Sequence, residues 1–248
     1  MTQNIHCPNE AILKIISSSL DRLEEAAWFI QMMEEHYHQA DKFRWSLNSF
    51  IRALKEVEQL LVMELQQHKE VALWYKSEKE KLSQTPFISK LFKHRDYIVH
   101  RSMLKPESKG TVGYTRGRGL KLGLTIPIDP LSDSQDAIIG YIRHAAETED
   151  FLGILYTEED GSGEYTCVQR EWMLADFPGQ ELTQLTAQAW QAVAKLALET
   201  ATKLGAHVIE PKIELGNPNQ VQFEIYAPDW VKAEFEKAKK EMQDLESK

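Results

Sequence analysis

The sequence predicts a mainly α-helical protein with a small antiparallel β extension. Apolar residues recur every three or four positions before residue 104 and again over residues 181–204, which is the spacing of amphipathic helices. Short runs rich in β-branched and aromatic residues lie between and after these stretches, as expected for short strands. The longest apolar runs fall well short of the roughly 20 residues that a membrane span requires. We therefore expect a soluble protein with no membrane segment.

Two long helices are expected first. Residues 9–37 carry one apolar stripe, and residues 43–65 carry a second over about six turns. The polar connection between them, residues 38–41, is short, and short connections join antiparallel neighbours. The stripes consist of Ile12, Ile16, Leu20, Leu23, Ala27 and Ile30, and of Phe43, Leu47, Phe50, Ile51, Leu54, Val57, Leu61 and Leu65.

Pro86 separates a polar stretch, residues 74–85, from a third predicted helix over residues 87–104. Proline disfavours helix at the residue before it and is tolerated in the first turn of a new helix. After this helix, Pro106 and the glycines at 110, 113, 117, 119 and 123 predict an exposed, non-helical connection.

The rest of the chain mixes strands and helices. Strands are predicted at residues 120–128, 151–157 and 164–172, with a hairpin joining the last two through the turn-forming EEDGSG. Helical spacing returns over residues 181–204, with Gly205 at the C-cap. The final predictions are two strand-like segments and a charged, solvated helix, at residues 207–215, 221–227 and from 229 onward.

We thus predict a helical bundle over residues 1–104. Residues 105–248 are expected to hold the basic loop, the small sheet, a further bundle helix at about 181–204 and the charged C-terminal helix. The two parts are compatible with a single domain, since length alone does not separate one large domain from two small ones.

The charge of the chain is unevenly distributed. A formal net charge of −9 argues against a protein that coats nucleic acid over its whole surface. Residues 90–121 nevertheless contain nine Lys or Arg against two acids. This basic segment is either a solvated, flexible loop or a phosphate-facing surface.

No cofactor or metal is predicted. The N-terminus lacks a secretory pattern, and the two cysteines, Cys7 and Cys167, form no CxxC pair, so we expect a cytoplasmic protein with reduced thiols. His36 and His38 lie two apart on a predicted helix and would point away from each other, which makes them poor joint metal ligands.

Two motif matches in the basic segment fail. His94-Arg95-Asp96 matches the protein-kinase HRD, but Arg101 replaces the magnesium-binding Asn and no glycine-rich strand turn precedes it. Residues 115–123 (TRGRGLKLG) fit neither a P-loop nor a dinucleotide fingerprint. A mobile loop is the simpler interpretation there, and phosphate contacts from Arg116 and Arg118 remain the alternative.

Arg95 and His100 form the one pair that suggests chemistry. Histidine can move a proton at neutral pH, and arginine can hold a phosphate with two donors and stabilise the charge of a transition state. Together these groups are sufficient for slow, metal-free cleavage of RNA.

The segment Arg95-Asp96-Tyr97-Ile98-Val99-His100 resembles the RX4-6H motif of HEPN domains. The resemblance covers roughly residues 9–104 and implies an up-and-down helical bundle that pairs as a homodimer with both motifs at the interface. It also implies a metal-independent endoribonuclease that cleaves RNA through the 2′-hydroxyl. In that scheme His100 is the general acid or base, Arg95 binds the scissile phosphate and Asp96 orients one of them. The expected partners are RNA, a second copy, and a cognate antitoxin or regulatory protein.

Geometry opposes this scheme on a straight helix, because five residues rotate two side chains by about 140°. A bend, the length of the arginine or pairing across a dimer would be needed. Arg101 and Asn48 are candidate phosphate or RNA contacts. Asn48 belongs to a polar stripe with Arg44 and Arg52, for which solvent exposure is the simpler explanation.

Three functions therefore stay open. The first is the metal-independent ribonuclease. The second is a non-catalytic dimeric module that holds a nucleotide, RNA or a protein partner. The third is a scaffold with no nucleic-acid role, for which no salt-sensitive RNA binding is expected.

Overall fold

The computed structural model describes residues 9–101, 103–104, 106–116, 119–148, 164–209 and 211–246. Within these ranges the chain is mainly α-helical and contains one four-stranded antiparallel sheet, which confirms the predicted fold class at this level. No helix in these ranges is long and apolar enough to cross a membrane.

The helices and strands are numbered along the chain. The helices are α1 (Glu10–Leu13), α2 (Ser17–Glu35), α3 (Ala40–Glu64), α4 (Lys69–Gln84), α5 (Pro86–His100), α6 (Ser134–Thr148), α7 (Leu182–Lys203), α8 (Pro218–Val221) and α9 (Pro228–Glu246). The strands are β1 (Glu107–Arg116), β2 (Gly119–Pro127), β3 (Glu164–Met173) and β4 (Phe223–Tyr226). Two 3-10 turns, Lys14–Ile16 and Leu65–Gln67, follow α1 and α3.

The chain forms two compact units, each built from three segments. The first unit contains Met1–Met33, Arg44–Leu104 and Leu182–Leu215, and the second contains Glu34–Phe43, Lys105–Glu181 and Gly216–Lys248. The first unit is therefore helical, and it includes α7. The second unit carries the sheet with α6, α8 and α9.

In the first unit, α2 and α3 run antiparallel, as the short connection predicted. The backbone N–H of Ser18, at the start of α2, donates to the Glu64 carboxylate at the end of α3 over 2.8 Å. Trp190 on α7 donates its indole N–H to the Leu23 carbonyl over 2.8 Å, which joins α7 to α2. Every residue of the predicted second stripe is buried, because period-3.6 spacing places these side chains on one face.

The polar stretch before Pro86 is part of α4, a helix that the sequence analysis did not predict. Its many Lys and Glu residues favour helix, but Tyr75 is the only fully buried residue of α4, so the apolar pattern is weak. Pro86 takes the first position of α5, as predicted. α5 ends at His100 rather than residue 104, because the Arg101 backbone leaves the helical region at φ −130° and ψ −74°.

The glycine-rich connection predicted after α5 was wrong, since it forms the β1–β2 hairpin. The strand order is β2-β1-β3-β4, and all neighbours are antiparallel. Gly113 faces Gly123 across the hairpin, and a Cβ on Gly113 would lie 2.1 Å from the Leu122 carbonyl oxygen. These glycines therefore permit a close approach of two strands.

Helices α6 and α9 pack together and against the sheet. Helix α6 was not predicted from the sequence. The prediction that α9 is a solvated helix was wrong, since α9 contributes to the core. That core contains Val112, Ile128, Ile138, Tyr141, Ile142, Ala146, Val168, Tyr226, Val231 and Ala238.

The other predictions had mixed outcomes. The strands at 120–128, 164–172 and 221–227 are confirmed as β2, β3 and β4, and α7 ends before Gly205, whose φ is +100°. The strand at 207–215 was wrong: its described residues have no regular structure, and Pro211 within it has no N–H for a ladder. The 151–157 strand and its EEDGSG turn lie outside the described residues.

Candidate functional site

Helix α5 carries the Arg95–His100 motif and packs against the first unit through one side. Thr85 precedes it in an extended conformation, φ −64° and ψ 120°. Ile88, Leu91 and Phe92 form the buried side of the helix. The Lys55 ammonium of α3 lies 4.3 Å from the centre of the Phe92 ring, so a cation–π contact joins α5 to α3.

Arg95 lies on the packed side of α5 and His100 on the outer side. Arg95 follows Leu91 by four residues and Phe92 by three, so it shares their face. The helix is continuous to His100, which is therefore rotated by about 140° from Arg95. The Arg95 side chain is only 22% exposed, whereas His100 is exposed. The structure does not bring the two side chains together within one chain.

The Arg95 guanidinium pairs with the neighbouring carboxylate. Its Nη1 lies 3.2 Å from Asp96 Oδ1, and the Asp96 side chain is 68% exposed. The Arg95 Nε is buried and has no hydrogen-bond partner among the residues described. Arg95 and Asp96 thus contact each other, and neither forms a hydrogen bond or ion pair with His100 in the described part of the chain.

Asn48 is buried, and both ends of its amide are hydrogen-bonded inside the first unit. Its Nδ2 donates to the Arg44 carbonyl over 2.6 Å, and its Oδ1 accepts the Leu104 N–H over 2.9 Å. The prediction that the polar stripe is exposed to solvent was therefore wrong for Asn48 and Arg44, which are both buried. It is confirmed for Arg52, which is exposed. This arrangement fixes the chain that leaves α5 and does not present the Asn48 amide to a phosphate.

The remaining predicted contacts are distributed over both units. Arg101 caps the C-terminal end of α5 and is exposed. Arg116 ends β1 in the second unit, where its backbone pairs with Gly119 and Glu164. Arg118 lies outside the described residues.

A basic and aromatic surface runs along the outer side of α5. Lys93, Tyr97 and His100 follow at spacings of four and three, so they share the exposed side of α5, and the exposed Arg101 comes next, just after the helix ends. We call these four residues the α5 outer stripe. Tyr97 is 41% exposed. Lys93, His100 and Arg101 form no side-chain ion pair or hydrogen bond within the described part of the chain.

The chemistry of this stripe is that of a phosphate and base contact surface. Ammonium and guanidinium groups neutralise phosphates, and an exposed tyrosine ring offers a face on which an unpaired base can stack. The helical part of the stripe extends about 10 Å from Lys93 to His100 at the rise of an α-helix.

A contact between His38 and Ser134 was not predicted from the sequence. In the second unit, His38 Nδ1 lies 2.8 Å from Ser134 Oγ, and His38 Nε2 lies 3.0 Å from the Val221 carbonyl. Burial lowers the pKa of His38 to about 4, despite the hydrogen bond to Val221 that raises it. Ser134 has no exposed surface, so this pair is structural. No sequence signal joins residues 96 positions apart.

Arg170 was also missed, and it is a fully buried cation in the same unit. Its Nε donates to Ser108 Oγ over 2.8 Å, and its Nη1 donates to the Ser132 carbonyl over 2.8 Å. Its guanidinium carbon lies 3.8 Å from the Trp172 ring centre. Burial lowers the pKa of Arg170 to about 10, so it stays charged at neutral pH. These contacts make it a structural residue.

Comparison with known proteins corrects the resemblance drawn from the sequence. Residues 2–112 match the family model of the bacteriophage lambda protein ea47, and no HEPN family model matches. Assignment to the HEPN family was therefore wrong, since a six-residue Arg and His pattern recurs easily by chance. No curated protein and no solved structure matches the chain. Over residues 2–112, less than half of its length, the chain is similar to the family of the bacteriophage lambda protein ea47.

Proposed function

We propose that the α5 outer stripe binds single-stranded RNA without cleaving it. The observation that carries this proposal is the exposure of Lys93, Tyr97 and His100 on one side of α5, with the exposed Arg101 directly after them. The local positive charge contrasts with the net charge of −9 of the whole chain. RNA contact is therefore confined to a small surface, and moderate, salt-sensitive affinity is expected.

Catalysis by Arg95 and His100 has less support than binding. A histidine and an arginine that cleave RNA must reach the same phosphodiester. Here Arg95 faces the packed side and pairs with Asp96, while His100 faces outward. Binding needs only the outward-facing groups, so the non-catalytic alternative is the one that we carry forward.

RNA is favoured over an acidic protein because of the tyrosine. An acidic protein partner would pair its carboxylates with Lys93 and Arg101 and would not need the exposed Tyr97 ring between them. An unpaired RNA base can stack on that ring, which adds binding energy. RNA also offers 2′-hydroxyls, to which His100 can hydrogen-bond. Unpaired RNA fits better than a duplex, because paired bases are already stacked.

Fluorescence anisotropy with a labelled 12-residue oligouridine in EDTA tests the proposal. Tyr97→Ala should weaken binding by about 5- to 150-fold, the range expected for one lost stacking contact. Tyr165→Ala is the matched control, since Tyr165 is 36% exposed but lies on β3 in the second unit. Equal affinity of the Tyr97→Ala variant and the unchanged protein would refute RNA binding by this stripe.

The same samples separate the remaining possibilities. An oligonucleotide that stays intact on a denaturing gel agrees with binding without cleavage. Shortened products formed in EDTA would instead support a metal-independent ribonuclease. A DNA oligonucleotide of matching sequence tests the 2′-hydroxyl contact. Equal affinity for DNA and RNA would show that the 2′-hydroxyl does not contribute to binding.

A further inference from the structure

An apolar groove lies in the first unit, between the C-terminal end of α3 and helix α4. Its volume is about 750 Å³, within the range of pockets that bind ligands. Leu65 and Tyr75 are buried at its base. Val62 and Leu73 line it while remaining 47% and 72% exposed, respectively. Contiguous exposed apolar surface of this kind marks an interaction site more often than isolated exposed residues do.

Lysines line this groove along its length. Lys69, Lys76 and Lys79 all border it, and Glu80 is the acid among the described lining residues. None of the three lysines forms an ion pair within the part of the chain that is described. From Lys69 to Lys79 the helix rises by about 15 Å, so the positive charge is distributed along the groove.

This distribution decides which occupant fits. A fatty acid or similar amphiphile has a single anionic head group, which can pair with lysines at one end only. An amphipathic helix can place several carboxylates along 15 Å while it buries an apolar stripe. The lining part of α4, from Lys69 to Ser83, is about 21 Å long, which matches four turns of a partner helix.

We propose that the α4 groove binds an acidic amphipathic helix of a partner protein. Apolar side chains of that helix, spaced at i, i+3, i+4 and i+7, enter the groove beside Leu65 and Leu73. Its Glu or Asp residues pair with Lys69, Lys76 and Lys79. This site lies on α4 and does not depend on RNA binding by α5.

A panel of five fluorescein-labelled 18-residue peptides with leucines at helical spacing and flanking glutamates tests this proposal by fluorescence anisotropy. Binding by at least one peptide is expected, and Leu73→Asp should weaken it by about tenfold or more, as for a central interface contact. Leu245→Asp is the matched control, because Leu245 is also 72% exposed but lies on α9 in the second unit. This control should bind the peptide unchanged.

Charge is tested separately. Lys76→Glu should weaken peptide binding, while Lys240→Glu, an exposed lysine on α9, should not. A scrambled peptide of identical composition should bind at least tenfold more weakly, since its apolar residues no longer share one face. Far-UV circular dichroism establishes that each variant is folded.

Three results would overturn the proposal. They are failure of all five peptides to bind, equal binding by the Leu73→Asp and unchanged proteins, and binding of a fluorescent C16 fatty acid in the absence of any peptide binding. RNA binding measured on the same preparations reports on α5 independently, so failure of one proposal is distinguishable from failure of the other.

Discussion

Asn48 on α3 accepts a hydrogen bond from the backbone N–H of Leu104 over 2.9 Å, across 56 positions of sequence. Both residues are buried. The contact holds the chain that leaves α5 against α3, so the orientation of α5 depends on a residue of another helix. Buried backbone donors are rarely left without a partner.

Asn48→Ala should therefore destabilise the protein by about 1–3 kcal/mol, because it leaves the Leu104 N–H buried and unsatisfied. Urea denaturation followed by circular dichroism measures this change. Arg52→Ala, at an exposed position one turn along α3, should change the free energy of unfolding by less than about 0.5 kcal/mol. Equal stabilities of the two variants would contradict a structural role of Asn48.

The salt dependence of RNA binding should report the contacts of the α5 outer stripe individually. Each phosphate contact with single-stranded nucleic acid contributes about 0.7 to the slope of log K against log salt concentration. Lys93→Ala and Arg101→Ala should each reduce the magnitude of that slope by about 0.7. Tyr97→Ala should lower the affinity for RNA but leave the slope unchanged. Unchanged slopes in both charge variants would remove these residues from the interface.

Two glycines should respond oppositely to the same substitution. Gly113→Ala places a Cβ 2.1 Å from the Leu122 carbonyl oxygen in the β1–β2 hairpin, so a loss of more than about 2 kcal/mol is expected. Gly140 lies within α6, and a Cβ there meets nothing within 4 Å among described atoms. Gly140→Ala should raise stability by about 0.5–1 kcal/mol through helix propensity. Thermal unfolding of both variants checks the signs.

The sequence predicted a helix correctly where its apolar residues repeat with one clear period. The α3 stripe is fully buried because its period matches the helix. α6 was missed although Ile138, Tyr141 and Ile142 show helical spacing, since Gly140 interrupts it and strand-like segments flank it. α4 was missed because its single fully buried residue, Tyr75, leaves no apolar pattern to read.

The candidate site was harder to predict than the fold. The letters Arg95 to His100 are compatible with a catalytic pair, but α5 runs without interruption to His100, which places the two side chains on different sides of the helix. Asn48 was singled out by its position in a polar stripe. Its actual partner, the Leu104 N–H, comes from a loop whose path no local pattern specifies.

The buried His38 should make stability depend on pH. Its pKa is about 4 in the folded protein against 6.5 for an unperturbed histidine, so the unfolded chain binds the proton more readily. The contribution of His38 is therefore complete above pH 6.5 and is lost as pH falls from 6.5 through 4. A shift of this size corresponds to about 3 kcal/mol.

His38→Gln tests this dependence through the difference in unfolding free energy from the unchanged protein at each pH between 4 and 7.5. Burial raises the pKa of Glu34 and Glu224, which makes stability rise as pH falls in both proteins, so the difference isolates His38. The variant should be less stable at pH 7.5, and its deficit should shrink toward pH 4. His144→Gln, at an exposed position on α6, is the matched control for the loss of a histidine side chain. A deficit for His38→Gln that stays constant over this range would mean that the histidine titrates alike in the folded and unfolded chains.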